Sequence, residues 1–239
     1  VIMPNKNGMP YLKKSVESVF NQTIENFELI VIDGCSTDDS VDYLKSLNDS
    51  RIKIIIDSDL KGVMESRKKG VFEGKGDFIA FLDSDDIWMK TKLEEQIDFM
   101  KRMNTYFSYT NFSTIDHQDK LISVNKHFHE HINEKDFASK RSILNSSVII
   151  DSRILKNNFP REVYSGFAED LLLWGSIIYK GNDAHGLNKN LVMYRITPGA
   201  RSENLLKNLV AVWNMYLFKF KLGIVKSIAS FCSYIIDVI

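Results

Sequence analysis

Asp77-Phe78-Ile79-Ala80-Phe81-Leu82-Asp83-Ser84-Asp85-Asp86 is the stretch whose reading decides the fold of this chain. An apolar run from Phe78 to Leu82 empties into three carboxylates within four positions. A run of that length, bounded by polar residues, reads as a buried strand. Carboxylates at the C-terminal end of such a strand lie where open α/β sheets bind their ligands. Three acids so close repel one another unless a cation or a hydrogen-bond donor compensates them. An oxygen cluster of this kind suits Mg²⁺ or Mn²⁺ shared with a substrate phosphate. The competing reading is an acidic helix start, with Asp85 or Asp86 capping a helix suggested by Trp88 to Met103. Capping accounts for one or two of the three residues, not for all.

Upstream, Val1 to Met3 reads as a strand closed by Pro4, followed by a polar loop through Gly8. Pro10 then stands in the first turn of a helix with Leu12, Val16, Val19 and Phe20 at helical spacing. Phe27 to Ile32 is a second buried strand ending at Asp33-Gly34, and Thr37 to Ser40 caps a helix carrying Val41, Leu44 and Leu47. Ile52 to Ile56 is a third strand and Lys61 to Phe72 a third helix, leading into Phe78. Strand and helix alternate, which predicts a mostly parallel, Rossmann-like α/β sheet flanked by helices. Downstream, helices are expected from Thr91 to Met103 and from Ala168 to Tyr179. Strands are expected at Tyr106–Phe112, Leu121–Val124, Ser147–Ile150 and Leu191–Arg195, with a polar loop from Asn125 to Lys140.

The 239 residues suffice for one sizeable core, and 44% hydrophobic with 26% charged residues is ordinary for a globular protein. A formal net charge of zero gives no bulk attraction to nucleic acid. Cys35 and Cys232 lie far apart and make no disulfide framework, which fits a reducing compartment. Asn-x-Ser/Thr triplets at Asn21, Asn111 and Asn145 matter only in a secreted protein and are read as chance. No signal peptide is evident, and the chain opens inside an apolar strand, so a short preceding piece is expected.

Asp33 ends the second strand as Asp83 ends the fourth, and two such acids at one sheet edge define a crevice. Asp33 could accept from a nucleotide's base or ribose; an Asp-Gly turn followed by Ser36 and Thr37 explains it equally well locally. There is no GxGxxG after the first strand and no Walker A sequence, which argues against a dinucleotide dehydrogenase or a P-loop enzyme. Glu169-Asp170 opens a helix, where the dipole favours acid; alternatively one of the two is a general base. His127, His129 and His131 alternate as zinc ligands on a strand could, but in a polar loop without matching Cys or His.

These residues together resemble the family 2 inverting glycosyltransferases, which have a GT-A fold. The opening Val1-Ile2-Met3-Pro4-Asn5-Lys6-Asn7 is similar to that family's first-strand motif, and Ser15 to Thr23 to its first helix. Phe27 to Asp38 resembles its nucleotide motif, Lys61-Gly62, Arg67 and Gly70 its next helix, and Phe81 to Asp86 its DxD motif. Glu169-Asp170 falls where the family keeps its catalytic acids, and the similarity spans about residues 1 to 200. The resemblance implies sugar transfer from a nucleotide-diphosphate donor, UDP preferred, to a hydroxyl with inversion, assisted by Mn²⁺ or Mg²⁺. It implies Asp85 as metal ligand and Asp170, with Glu169, as the catalytic acids. Pro4, Asn5, Asn7, Asp33, Gly34, Arg67, Asp83 and Ser84 are then the nucleotide-sugar contacts, and Asp86 is left as a helix cap. Two positions depart: the family often has an aromatic residue at Lys6 and a second Asp at Gly34, both helping to hold the base. Tyr194-Arg195-Ile196-Thr197 resembles a Tyr-Arg-x-His motif with Thr in place of His, so a role for that His does not transfer.

A GT-A domain over residues 1–200 and a C-terminal helical tail over 201–239 are expected. The tail mixes Trp213, Phe218, Phe220 and aliphatic residues with Lys219, Lys221 and Lys226, the chemistry of a helix at a membrane interface. A hairpin packed on the domain, or a dimer contact, is the alternative. Enzymes of bacterial O-antigen or capsule synthesis look most similar, which implies a lipid-linked saccharide acceptor at the cytoplasmic face of the cell membrane. Two other readings are a Mg²⁺-dependent nucleotidyltransferase and a non-catalytic sugar-nucleotide-binding protein. The first would carry a Gly-rich basic phosphate loop, for which Asn5-Lys6-Asn7-Gly8 is a poor substitute; retention of Asp85 and Asp170 argues against the second.

Overall fold

Strand β1 (Ile2–Asn5) is buried along its whole length, as is β2 (Leu29–Asp33), because helices cover both faces. The computed structural model describes residues 1–59, 62–140, 143–161, 169–197, 205–220 and 223–238. Helix α1 (Tyr11–Phe20) joins β1 to β2, and α2 (Ser40–Ser46) joins β2 to β3 (Ile52–Ile56). The three strands pair in parallel in the order β1-β2-β3, with Asn5 beside Asp33 in the register. Helix α3 (Val63–Glu73) returns the chain to β4 (Phe78–Ala80). Gly70 lets α3 lie directly on β1, since a Cβ there would sit 2.5 Å from Ile2 Cγ2. Past Ala80 the chain swings to β1: Ile2 bridges Phe81 in parallel, and Leu82 N–H donates to the Ile2 carbonyl at 3.0 Å. That bridge aligns the ends of β1, β2 and the Phe78–Leu82 run, bringing Asn5, Asp33 and the acidic cluster to one edge.

The second sheet is mixed. Its order is β4-β9-β6-β10-β5, with β5 (Ile87–Trp88), β6 (Phe107–Ile115), β9 (Ile149–Asp151) and β10 (Ala184–Arg195). Strands β7 (Leu121–Val124) and β8 (His131–Ile132) attach to β6 and β10. Among the described residues only β6 and β10 pair in parallel there; β4–β9, β9–β6, β10–β5, β6–β7 and β10–β8 are antiparallel. The parallel expectation thus holds for β1, β2 and β3 but not for the fourth strand, since β4 pairs antiparallel with β9 and only the Ile2–Phe81 bridge beyond it is parallel; downstream, turns such as Asp116–Lys120 replace helical crossovers. Helix α4 (Lys92–Met103) forms as expected. Helix α5 (Ser152–Asn158) was not anticipated, although Asp151 caps it by accepting from Arg153 N and Ile154 N. Thr37–Ser40 does not make an ordinary cap on α2; Asp38 instead accepts from Met9 N and Ser40 N, tying the loop to the segment before α1.

Helix α6 (Glu169–Ile178) seats Trp174 in the core, 5.7 Å from Phe81 and 5.5 Å from Phe107 between ring centroids. Helices α7 (Leu205–Asn214) and α8 (Ile224–Val238), linked through a π-helical turn at Met215–Lys219, pack against the other end of α6. Tyr216 Oη donates to the Ala138 carbonyl at 2.7 Å, and Phe220 stacks on Tyr179 and Phe137 across Gly175. The tail leaves Phe218, Ile224 and Val225 in solvent, at 69%, 69% and 81% exposure. Among the described residues no helix is long and apolar enough to cross a membrane.

Candidate active site

At the ends of β1 and β2 a closed polar web forms. Asp33 is fully buried, and its carboxylate accepts from Asn5 Nδ2, Ser36 N and Ser36 Oγ, each at 2.7 Å. Ser36 Oγ in turn accepts from Asn7 N at 2.7 Å, while Asn7 Oδ1 accepts from Thr37 N at 2.7 Å. Gly34 N–H reaches the Asn5 carbonyl at 2.9 Å, and Pro4 lies in register with Ile32. Asp33 therefore shapes the loop from within rather than standing free at its rim. The two departures from the family pattern are neighbours: a Cβ on Gly34 would lie 3.5 Å from Lys6 Cδ, so the lysine stem runs beside the position of the missing Asp side chain.

The acidic cluster divides into three different environments. Asp83 Oδ1 takes both Arg67 Nη2 at 2.7 Å and Asn145 Nδ2 at 3.1 Å, while Asp83 N donates to Ser146 Oγ. The Ser84 carbonyl accepts from Ser15 Oγ at 2.9 Å, pinning the loop to α1. Asp86 is buried, held by Ser146 Oγ at 2.5 Å and Arg195 N at 2.9 Å. Its expected role as a helix cap is therefore corrected: α4 starts only at Lys92, and Asp86 turns inward to tie β10 to the short turn carrying Ser146. Burial first, and then Asp85 and Asp83, push the Asp86 carboxyl well above the usual carboxylate range.

Asp85 is different. Burial and the neighbouring Asp83 charge push it up to about 6, with Arg195 offsetting only part of this. Among the described residues no side chain donates to its carboxylate. A carboxylate so strained electrostatically gains from a hard dication, and the oxygen donors here fit Mg²⁺ or Mn²⁺. No group of three or more His, Cys, Asp or Glu side chains among the described residues is placed to hold an ion alone. An ion at Asp85 would thus draw further oxygens from its ligand. The zinc arrangement of alternating histidines finds no such group either: His131 instead meets Asp183 at 2.9 Å and stacks near His185.

Glu169 and Asp170 stand at the start of α6, Glu169 buried and Asp170 half-buried. Asp170 lines a cavity of about 190 Å³ with Phe112, Phe137, Lys140, Leu144 and Trp174. Arg67 joins this end to the acidic cluster. Burial works to lower its pKa, but Asp83, then Asp170 and Glu169, outweigh it and hold the guanidinium firmly charged. The structure thus brings Arg67, Asp83, Glu169 and Asp170 into one charge network, with Asp85 beside it and the Asn5–Asp33 web on the adjacent strand ends. Asn145, Ser146 and Arg195 were not anticipated in these roles. The triplet at Asn145 reads as a chance glycosylation signal, and a residue contributed from a distant turn leaves no local pattern.

The chain matches the family model described as "Glycosyl transferase family 2" over residues 1–158, a span that ends before Glu169 and Asp170. It is 32% identical to TuaG of Bacillus subtilis (strain 168), named a "putative teichuronic acid biosynthesis glycosyltransferase", covering 98% of this chain and 93% of TuaG. It is 35% identical to Escherichia coli WfaP, a UDP-Glc:alpha-D-GlcNAc-diphosphoundecaprenol beta-1,3-glucosyltransferase, covering 90% of this chain and 84% of WfaP. Among solved structures, residues 1–349 of S. aureus TarS in complex with UDP-GlcNAc superpose with a TM-score of 0.73 at 20% identity, covering 91% of this chain and 66% of that one. That likeness gives the fold: a GT-A-like α/β arrangement.

Proposed function

The chain belongs to glycosyltransferase family 2, and on that premise we propose that it moves a sugar from a UDP-sugar to a hydroxyl of a lipid-diphosphate-linked saccharide, with inversion. The observation that carries the proposal is Arg67, whose charge is shared between Asp83 at the acidic loop and the Glu169–Asp170 pair at the cavity. It joins a donor end and an acceptor end in one network. The name of WfaP, one of the relatives described above, supports the donor and acceptor classes.

Asn5, Asn7, Asp33 and Gly34 form the floor on which the nucleotide rests, with Pro4 fixing the strand end. Asp83, held by Arg67 and Asn145, keeps its second oxygen for a hydroxyl of the donor, and Ser84 sets the loop. Asp85, helped by the donor's phosphates, would hold Mn²⁺ or Mg²⁺, which neutralises charge growing on the departing diphosphate. The acceptor enters beside Asp170. As its oxygen attacks the anomeric carbon from the face opposite the diphosphate, Asp170 takes the hydroxyl proton. The new C–O bond forms while the bond to the diphosphate breaks, the electron pair leaving with the phosphate oxygen. Such a transfer passes through an oxocarbenium-like state and needs no enzyme nucleophile. Glu169, buried behind Asp170, helps to hold the base in place. The exposed Phe218, Ile224 and Val225, near Lys219 and Lys226, support peripheral contact with the inner face of the cell membrane.

A panel of UDP-, GDP- and dTDP-sugars, with and without Mn²⁺, tests the donor class by thermal shift, since a ligand of the native state raises its melting point. Stabilisation by UDP-sugars that is deepened by Mn²⁺ is expected. No shift with any donor sinks the reading.

A further inference from the structure

We propose that Arg195 is a positioning residue, which fixes the main chain at Asp85 so that the Asp85 carboxylate is aimed at the divalent cation of the donor complex. The inference rests on the reading of Asp85 as the metal-holding carboxylate. Antiparallel pairing of β5 with β10, Met193 opposite Ile87, carries Arg195 back alongside Asp85. There its guanidinium is buried, with Nε and Nη1 hydrogen-bonded and Nη2 in ion-pair contact without a hydrogen bond. Nε donates to the Asp85 carbonyl at 2.8 Å and Nη1 to the Asp116 carbonyl at 2.8 Å. Nη2 lies 2.6 Å from Asp119 Oδ1, and the plane stacks 4.6 Å from the centroid of Tyr11. Its own backbone N–H holds Asp86. Asp119 is tied further to Lys14 of α1.

A buried charge network of this kind is no more stabilising than apolar packing of the same volume. What a rigid, planar fork of donors supplies instead is direction. Here the fork spans three elements, α1, the β6–β7 turn and the acidic loop, and its Nε grips the peptide of the one cluster member whose carboxylate lacks a side-chain donor. Asp83 and Asp86 are each anchored through their own carboxylates; among the described residues Asp85 is anchored only through its backbone. Loss of such an outer support of a metal ligand costs about 10–100-fold in metal affinity.

The test uses the full chain and follows UDP binding by calorimetry, in EDTA and across a Mn²⁺ titration. Arg195→Gln should raise the Mn²⁺ concentration for half-maximal enhancement at least about tenfold. UDP affinity in EDTA should stay within about twofold of wild type, because the nucleotide floor is on other strands. Arg195→Lys should fall between the two. Asp119→Asn, which frees the far end of the fork without touching the loop, should raise the Mn²⁺ requirement by a smaller factor and serves if Arg195→Gln does not fold. An unchanged Mn²⁺ requirement in the folded variant overturns the inference, as does an equal loss of metal-free UDP binding. If wild-type UDP binding itself ignores Mn²⁺, the reading of Asp85 fails and this inference with it.

Discussion

Exchanging Asp85 for Asn should make the metal-free protein more stable while removing its transfer activity. The Asp85 carboxyl is pushed from 3.8 up to about 6 by burial and by the Asp83 charge. A displacement of about 2 pH units corresponds to about 3 kcal/mol, since each unit is worth about 1.4 kcal/mol. The sign follows from proton linkage. A carboxyl whose folded pKa is raised binds its proton more tightly in the native state, so it favours folding fully below about pH 4. That contribution is lost as pH rises through about 6, where the native state must carry an ill-solvated charge. The amide keeps the shape and never ionises, so the variant escapes the loss. Urea denaturation in EDTA should place Asp85→Asn about 1–3 kcal/mol above wild type near pH 7.5, with the gap closing by about pH 4. Adding Mn²⁺ should deepen the stabilisation by UDP in wild type and leave it unchanged in the variant. A variant no more stable than wild type at neutral pH, or a gap that ignores pH, would refute the electrostatic account of this site.

Asp170→Asn should lower kcat by about 10²–10⁴-fold, the usual worth of a general base, with UDP affinity unchanged; equal turnover by the variant in a product assay would remove Asp170 from its role. Arg67→Met leaves the Asp83 carboxylate and the acids of α6 without their counter-charge, and should cost about 3 kcal/mol by chemical denaturation. Arg67→Lys should recover part of this. Asp33→Ala strips the acceptor from three donors of the β1–β2 web, so UDP should bind about tenfold or more weakly, about 1.4 kcal/mol, by calorimetry. Gly175→Ala forces a methyl within 2.3 Å of the Phe220 ring and should cost about 1–3 kcal/mol while exposing the tail to limited proteolysis. An unaltered digestion pattern would show that the tail is not held there.

The parallel half of the fold was legible because β1 and β2 are buried on both faces and read as apolar runs, while the less buried β3 is still apolar at four of its five positions. The same rule failed at β10, whose first residues include His185, Asn188, Lys189 and Asn190: an irregular pairing with β6 interrupts the alternation, so only its end, from Leu191 to Arg195, is readable. Strand β5 is two residues long, too short to carry a period. Asp33, Asp83 and Asp85 could be picked out as acids at strand ends. What each of them touches could not, because Arg67, Asn145 and Arg195 approach from 16, 62 and 110 positions away in the chain. The fate of Asp86 shows the limit well: local rules place it before a helix, whereas its partners, Ser146 and Arg195, come from beyond residue 140.

The three-stranded and seven-stranded sheets meet, within the described residues, at one isolated bridge, Ile2 to Phe81, with the Leu82–Ile2 hydrogen bond beside it. The seam runs beneath the cleft. On its one side stands the Asn5–Asp33 web, on the other the acidic loop and α6. A molecule long enough to touch both Asp33's loop and Asp170 straddles that join and acts as a stitch across it. Its grip on either half is then felt by the other, and the two halves of the sheet are fastened most firmly when the molecule to be transformed lies between them.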